Sequence, residues 1–482
     1  MEKINSLKKC FSLLIGILVS TALFASAPDT LWTRTYGGLE NDGGTSVQQT
    51  SDGGFVLAGT TESFGAGYYD VYLIRIDSLG DTLWTKTFGG TYGDLGYSIQ
   101  QTSDGGFIIA GTTSSFGTGG YDVYLIRTNS SGDTLWTKTF GGTNEEAGFS
   151  VQQTSDDGFI IVGYTQSFGT GGADVYLIRT DSLGNTLWTR TIGGAGRDVG
   201  YSVQQTKDGG VIIAGWTSSF GAGQEDAYLI RTDSLGDTLW TRTFGGVYGD
   251  YGYSVKQTSD GGFVVTGEIS FVGGGDYDVG FIKTDSSGTP LWAKAFGGTA
   301  EDGGYSVQQT SDSGFIIAGY TASFSLGYKD VHIIRTNSLG DTLWTKTFGG
   351  TGNDNASSVQ QAQNGGFIIA GRTTSFGAGG GDVYLIRLGK ETGVEEQANL
   401  DFGLGIAELK IIKNKIYLDV SKSINADVKI YDLGGRLQST VYEGALKKGN
   451  YTFVTNIKKN GIYFVRLSTG TLKVTKKITV IK

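Results

Sequence analysis

The sequence predicts an all-β chain: a seven-bladed β-propeller of 52-residue repeats followed by a small Ig-like β-sandwich. Three observations carry this. Trp32, Trp84, Trp136, Trp188, Trp240, Trp292 and Trp344 stand 52 residues apart each time, and a fixed period of that size marks a ring or array of like units. Each period holds four strand-like runs parted by Gly-containing turns, in the first case residues 45–50, 54–61, 70–77 and the run Thr82-Leu83-Trp84-Thr85-Lys86-Thr87-Phe88, which is the content of one propeller blade. The composition agrees, with 81 Gly, 25 Tyr and 25 Phe but only 2 Pro, as expected of short strands joined by tight turns.

The elements follow in order. Residues 1–27 read as a signal peptide: Lys3, Lys8 and Lys9 precede an apolar run over 11–24, and Ala25-Ser26-Ala27 is a small-residue cleavage site. Cys10, the single cysteine, lies before the apolar run, so cleavage near Ala27 leaves a chain without thiols and a fold that needs no disulfide. The propeller spans 28–389. Its first repeat opens with Leu31-Trp32-Thr33-Arg34-Thr35-Tyr36, whereas the last, ending at Leu388, lacks a following Leu-Trp strand. Residues 31–36 are therefore expected to supply the outer strand of the last blade and close the ring. A linker over 390–407 leads to the sandwich, 408–482. Charge marks the same division: residues 28–397 hold 20 basic and 40 acidic side chains, and residues 398–482 hold 15 and 6. So acidic a body argues against nucleic acid, and no later stretch has the apolar length of a membrane span.

The blades resemble bacterial β-propeller repeat families built on Trp, Gly-Gly, an acidic residue and a Gly-x-Thr turn. More distantly they resemble quinoprotein blades, whose corner compares with Asp77 to Trp84. In the C-terminal segment, Val428-Lys429-Ile430-Tyr431-Asp432-Leu433-Gly434-Gly435-Arg436, Asn460-Gly461-Ile462-Tyr463-Phe464-Val465-Arg466-Leu467 and Lys477-Ile478-Thr479-Val480-Ile481-Lys482 resemble the C-terminal sorting domain, type A-like, of the type IX (Por) secretion system of Bacteroidetes-like bacteria. The family's Tyr-Pro-Asn-Pro opening is absent, and residues 400–409 stand in its place. The resemblance implies passage through the periplasm, recognition of residues 408–482 by the secretion machinery, and a protein that is secreted or held at the outer membrane and cell surface. A carbohydrate-binding or adhesive sandwich is the alternative reading of this segment.

Catalytic chemistry is sparse. The single His, His332, takes a strand position that other repeats fill with Tyr72, Tyr124 and Tyr176, which suits a packed imidazole. No Ser-His-Asp, Cys-His or zinc set is evident, and no cofactor is implied. Two acidic columns and one basic column recur in every blade: Asp42, Asp94, Glu146, Asp198, Asp250, Asp302 and Asp354; Asp70, Asp122, Asp174, Asp226, Asp278, Asp330 and Asp382; Arg75, Arg127, Arg179, Arg231, Lys283, Arg335 and Arg387. Features present in all blades read as framework, namely turn caps and ion pairs between the columns. Calcium held at Asp42, Asp94 and Asp250 is the alternative.

Function is sought where blades differ. Two connections vary, one at residues 39–44, 91–96 and 195–200 and one at 65–69, 221–225 and 325–329. Four antiparallel strands put both on one face. A third variable column, 28 residues after each Trp, reads Thr60, Thr112, Tyr164, Trp216, Glu268, Tyr320 and Arg372, with Tyr68, Tyr69, Tyr92, Tyr248 and Tyr251 in the loops nearby. The candidate ligand-binding residues are Tyr164, Trp216, Glu268, Tyr320, Arg372, Tyr68, Tyr92 and Tyr248. Aromatic rings with carboxylates suit a glycan or a protein partner. The expectation is a binding module rather than an enzyme. The alternatives are a secreted glycoside hydrolase or lyase at the propeller mouth, and a structural surface-layer component.

Overall fold

The computed structural model describes residues 27–270, 277–391, 395–396, 407–412, 415–420, 423–432, 436–455, 457, 461–469 and 473–480. Residues 1–26 of the expected signal peptide 1–27, and residues 392–394 and 397–406 of the expected linker 390–407, lie outside the described residues. Two compact units are present, Ser26–Thr392 and a C-terminal one beginning at Gly393.

The first unit consists of seven four-stranded antiparallel sheets. Blade 1 runs Asp42–Gln49 (inner), Phe55–Thr61, Asp70–Ile76 and Thr82–Phe88 (outer), so the inner strand starts three residues earlier than its sequence pattern indicates. The next five blades repeat this order at the 52-residue interval. Blade 7 takes its inner three strands from Asp354–Gln361, Phe367–Thr373 and Asp382–Leu388, and its outer strand from Thr30–Tyr36. Thr33 pairs with Ile386 and Tyr36 with Val383. The strand Thr30–Tyr36 thus closes the ring against Asp382–Leu388, which would otherwise be left with an unpaired edge.

Packing explains the ladder of tryptophans. The third strands are buried along their whole length and the second strands at all but the variable sixth position of some blades, because each is covered on both faces by neighbouring blades. Trp84 meets Phe107 of the next blade edge-on at 6.1 Å, and Trp136 meets Phe159 at 5.9 Å, so each Trp seals one blade against the next. Trp344 is more buried than the others. Its Nε1 donates to Glu391 Oε1 at 2.7 Å, and Arg335 Nε donates to the same oxygen at 2.9 Å.

The C-terminal unit is a two-sheet sandwich. One sheet orders Glu395–Glu396, Ala407–Ile412, Lys415–Val420 and Gly449–Val454; the other orders Leu437–Leu446, Ile424–Asp432, Gly461–Thr469 and Lys473–Val480. Ile416, Leu418 and Val420 of the first share a core with Val428, Ile430, Val465 and Leu467 of the second, as the inward half of an alternating pattern requires. Among the described residues no helix is long and apolar enough to cross a membrane.

Candidate functional site

Strand direction sorts the ring into two faces. The tight hairpins, such as residues 50–54 and 77–81, lie on one, the turn face. The two variable connections lie together on the other, the loop face, where main-chain bridges tie them: Asp94 N donates to Tyr69 O at 2.7 Å and Asp42 N to Gly381 O at 2.6 Å.

The framework columns hold this face in shape. The two acidic columns meet pairwise at every blade junction. Gly89 sits between Asp70 and Asp94 so closely that a Cβ would stand 2.1 Å from Asp70 Oδ1 and 2.7 Å from Asp94 Oδ2, which explains the first glycine of each Gly-Gly. Asp94 Oδ2 accepts from Gly90 N at 2.8 Å and Ser115 Oγ at 2.6 Å, while Thr113 donates to Oδ1. Asp70 Oδ2 accepts from Ala66 N at 2.9 Å and Gly67 N at 3.1 Å. Burial, with Asp94 nearby, raises the Asp70 pKa, and Asp122, Asp174, Asp330 and Asp382 shift the same way. The carboxylates are turn caps, as expected.

The expected ion pairs between these columns and the basic column are not formed. Arg75 reaches the turn face instead, where Nη2 spans Asp52 Oδ1 and Oδ2 at 2.5 and 2.6 Å and Nη1 donates to Phe55 O at 3.0 Å. Arg127 with Asp104, Arg179 with Asp156, Arg231 with Asp208, Lys283 with Asp260 and Arg335 with Asp312 repeat this pairing, and Arg387 meets the neutral Asn364 at 2.7 Å. Arg75 is the sixth residue of the seven-residue strand Asp70–Ile76, at its turn-face end, whereas Asp70 opens the strand on the loop face.

Calcium finds a poor donor set at Asp42, Asp94 and Asp250. All three are buried, and N–H and O–H hydrogens point at their oxygens: Gly38 N and Ser63 Oγ at Asp42 Oδ2, each 2.7 Å, and Gly246 N and Ser270 N on Asp250 at 2.8 and 2.7 Å. Asp42 Oδ1 faces no donor. Among the described residues no group of three or more His, Cys, Asp or Glu side chains comes together to hold a metal, so the residues present do not fit the ion.

The mouth is built on β-bulges. In each inner strand the pairing slips by one residue, between Gly96 and Ser98 in blade 2, for example. The extra residue is thrown out of the ladder toward the channel. Those bulge residues are Thr45, Tyr97, Phe149, Tyr201, Tyr253, Tyr305 and Ser357. The five aromatic rings form a belt, with successive centroids 5.0, 4.9, 5.3 and 5.1 Å apart. Thr45 and Ser357, on adjacent blades, leave a gap. Thr45 turns its hydroxyl to Ala58 O and Gly96 O at 3.1 and 2.8 Å.

The variable column backs the belt. Tyr164 packs on Phe149 at 5.9 Å and Tyr320 on Tyr305 at 5.6 Å. Glu268 is buried, and Tyr253 and Tyr320 donate their hydroxyls to it at 3.1 and 3.0 Å. Burial raises the Glu268 pKa despite those two bonds, and burial together with Glu268 pushes up the pKa of Tyr253, Tyr305 and Tyr320. Lys329 lies 4.0 Å from the Tyr320 ring centroid and pairs with Glu301 at 2.9 Å. Trp216 stands edge-on to Tyr251 at 6.0 Å, with the Arg197 guanidinium 5.9 Å away. Arg372 is apart from this group and donates to Asn41 Oδ1 at 2.6 Å beside the gap. Tyr68, Tyr92 and Tyr248 stand at loop tips, 76, 65 and 65% exposed, and join none of these clusters.

Sequence reasoning missed the belt. Its column, 13 residues after each Trp, was legible as a variable aromatic position, but strand alternation alone misplaces it, because a bulge breaks that alternation. His332 is buried, with Phe324 at 5.9 Å and no partner for Nδ1.

Ring and tail together define an exported β-propeller protein. Residues 412–482 match the family described as secretion system C-terminal sorting domain, so the chain carries a type IX sorting tail and is a secreted or cell-surface protein that meets the type IX machinery through that tail. Among curated relatives it is similar to the regulatory protein FlaEY of Caulobacter vibrioides, 26% identical over 347 residues, 64% of this chain and 33% of the relative. The chain thus spans about a third of that protein's length. Similar solved structures include the Pan2 WD40 domain of Neurospora crassa (9% identity, 76% of this chain and 96% of that one, TM-score 0.45) and Sqt1 of Chaetomium thermophilum (12%, 81% and 96%, 0.40). The ring is defined by its own strand pairing.

Proposed function

We propose that the chain is an exported binding module, not an enzyme, whose loop face docks a protein partner. One observation carries the reading: among the described residues, large apolar side chains crown that face. Leu39, Tyr68, Tyr92, Val247, Tyr248, Leu326 and Tyr328 are 65 to 85% exposed at its loop tips. The turn-face hairpins also expose Leu79, Leu183, Leu235 and Leu339, at 61 to 64%, but on the loop face the exposed groups surround the aromatic belt, a combination that suits a protein interaction surface. Aliphatic tips such as Leu39 and Leu326 offer nothing to a sugar hydroxyl, so they favour protein over glycan.

The test compares capture of outer-membrane and secreted proteins from the producing bacterium by the wild-type chain, by a Tyr68→Ser/Tyr92→Ser/Tyr248→Ser variant, and by a turn-face variant Leu183→Ser/Leu235→Ser. Loss of a captured protein in the first variant and retention in the second supports docking. Equal capture by all three, or selective glycan-array binding lost in the loop-face variant, overturns it.

A second reading has one observation behind it. The buried, pKa-raised Glu268 among tyrosine hydroxyls is the form a glycosidase acid takes. Its carboxylate neighbour Glu301 is tied to Lys329. Hydrolysis of a glycan library by the wild-type chain, abolished in Glu268→Gln, would favour that reading.

A further inference from the structure

The central channel has a second end, and there one residue breaks the sevenfold pattern. On the turn-face half of each inner strand, Ser46 and Gln48 and their counterparts line a cavity of about 440 Å³. Adjacent inner strands lie too far apart for a main-chain ladder, and side chains stitch them together. Each Ser Oγ accepts from a main-chain N–H of a neighbouring blade, as Ser46 does from Ile99 N at 3.3 Å and Ser358 from Val47 N at 3.2 Å. One step further along, the Oε1 atoms of Gln48, Gln100, Gln152, Gln204, Gln308 and Gln360 accept from the N–H of Gln101, Gln153, Gln205, Gln257, Gln361 and Gln49, at 2.5 to 2.7 Å. At the seventh place stands Lys256.

These stitches settle the polarity of the lumen. A main-chain N–H only donates, so the carboxamide atom it meets is the oxygen, and each of the six amides is left with its NH₂ group to offer elsewhere. The serines likewise accept and keep a hydroxyl hydrogen to give. Lys256 contributes three more donors and a positive charge. Among the described residues it has no hydrogen-bond or ion-pair partner, and burial alone, with no charged neighbour, lowers its pKa. The Gln309 N–H has lost its acceptor, because an ammonium accepts nothing. A collar of donors around one unpaired cation, with no carboxylate lining it, lacks a negative group.

We infer that the turn-face end of the channel is a binding site for a small oxyanion, phosphate or sulfate in class, centred on Lys256 within the glutamine ring. The site lies at the opposite end of the channel from the docking face and does not depend on that reading. The collar's multiple directional donors favour a polyatomic oxyanion over chloride, which takes charge without geometry.

The test is calorimetric titration of the full chain with phosphate and with sulfate, ionic strength held constant with sodium chloride. The wild-type chain is expected to bind one anion saturably and to melt at higher temperature in its presence. Lys256→Gln restores the residue of the other six blades and supplies the missing acceptor for Gln309 N–H. It is expected to fold at least as stably and to lose tenfold or more in affinity. Lys294→Gln, at a rim lysine paired with Asp341, is expected to bind as the wild type does. Affinity should fall as pH rises through the lowered Lys256 pKa, since the neutral amine loses the charge. No saturable heat above the chloride background in the wild-type chain overturns the proposal, as does equal binding by Lys256→Gln.

Discussion

His332→Tyr should abolish an acid weakness located at one residue of blade 6. His332 is buried, its Nδ1 finds no partner, and desolvation, opposed by Asp302, lowers its pKa from 6.5 to about 4. A histidine with a depressed folded pKa stays neutral in the fold and charges in the unfolded chain. The stability this gives is whole above the unfolded pKa of 6.5 and is lost as pH falls toward the folded value of about 4. Between pH 7 and pH 5 the loss is about 2 kcal/mol, from 1.36 kcal/mol per unit of pKa difference acting over about 1.5 units. Tyrosine does not titrate in this range, and it has a place in the fold. Thr137 hydrogen-bonds the Tyr124 hydroxyl in blade 2, and Thr345 holds the matching position in blade 6. Urea unfolding of both chains at pH 7 and pH 5 should show the variant gaining about 2 kcal/mol on the wild type between the two. Because the chain has one histidine, its imidazole resonance can be followed directly and should titrate near 4. A midpoint near 6.5, or a variant advantage independent of pH, would refute the reasoning.

Three further outcomes follow. Asp104→Ala should cost about 1–2 kcal/mol in urea unfolding, less than a fully buried pair because Asp104 is 63% exposed; Asp104→Asn, which copies Asn364 of blade 7, should cost less. The Thr102 hydroxyl, with Arg127 helping, holds the Asp104 pKa down, so the carboxylate's contribution is present above the unfolded value of 3.8 and the gap to Asp104→Asn should close as pH falls through the folded one. Trp32→Ala and Trp84→Ala should destabilise equally, by about 2–3 kcal/mol each for half-buried rings, since ring closure makes the first strand equivalent to any other outer strand; a much smaller cost at Trp32 would mean the ring is not closed there. Glu268→Gln should gain on the wild type as pH rises above 4.5, because a carboxyl whose folded pKa is raised by burial loses stability on ionising; thermal melts between pH 4.5 and 8 check the sign.

The repeat made the ring and its closure legible, because seven tryptophans at one interval and a missing final Leu-Trp strand admit few arrangements. The acidic columns were legible as turn caps, since a carboxylate beside Gly-Gly has N–H groups to accept from. Their supposed pairing with the arginines does not form, because five residues of extended strand put Arg75 at the opposite end from Asp70, where the hairpin register sets it beside Val56 and within reach of Asp52. Candidate residues from one column separated for the same kind of reason. Tyr164, Glu268 and Tyr320 meet the aromatic belt, while Arg372 sits beside the gap left by Thr45 and Ser357. Lys256 was visible as one lysine in a column of glutamines, but its meaning depends on which way six amides are pinned.

The docking claim is tested most directly by hydrogen–deuterium exchange on the full chain, alone and with the protein partner it captures. Protection is predicted at the loop tips around Leu39, Tyr68, Tyr92, Tyr248 and Tyr328, with the hairpins at residues 50–54 and 77–81 unchanged. Protection confined to those hairpins and their counterparts, with the loop tips exchanging as before, would contradict it.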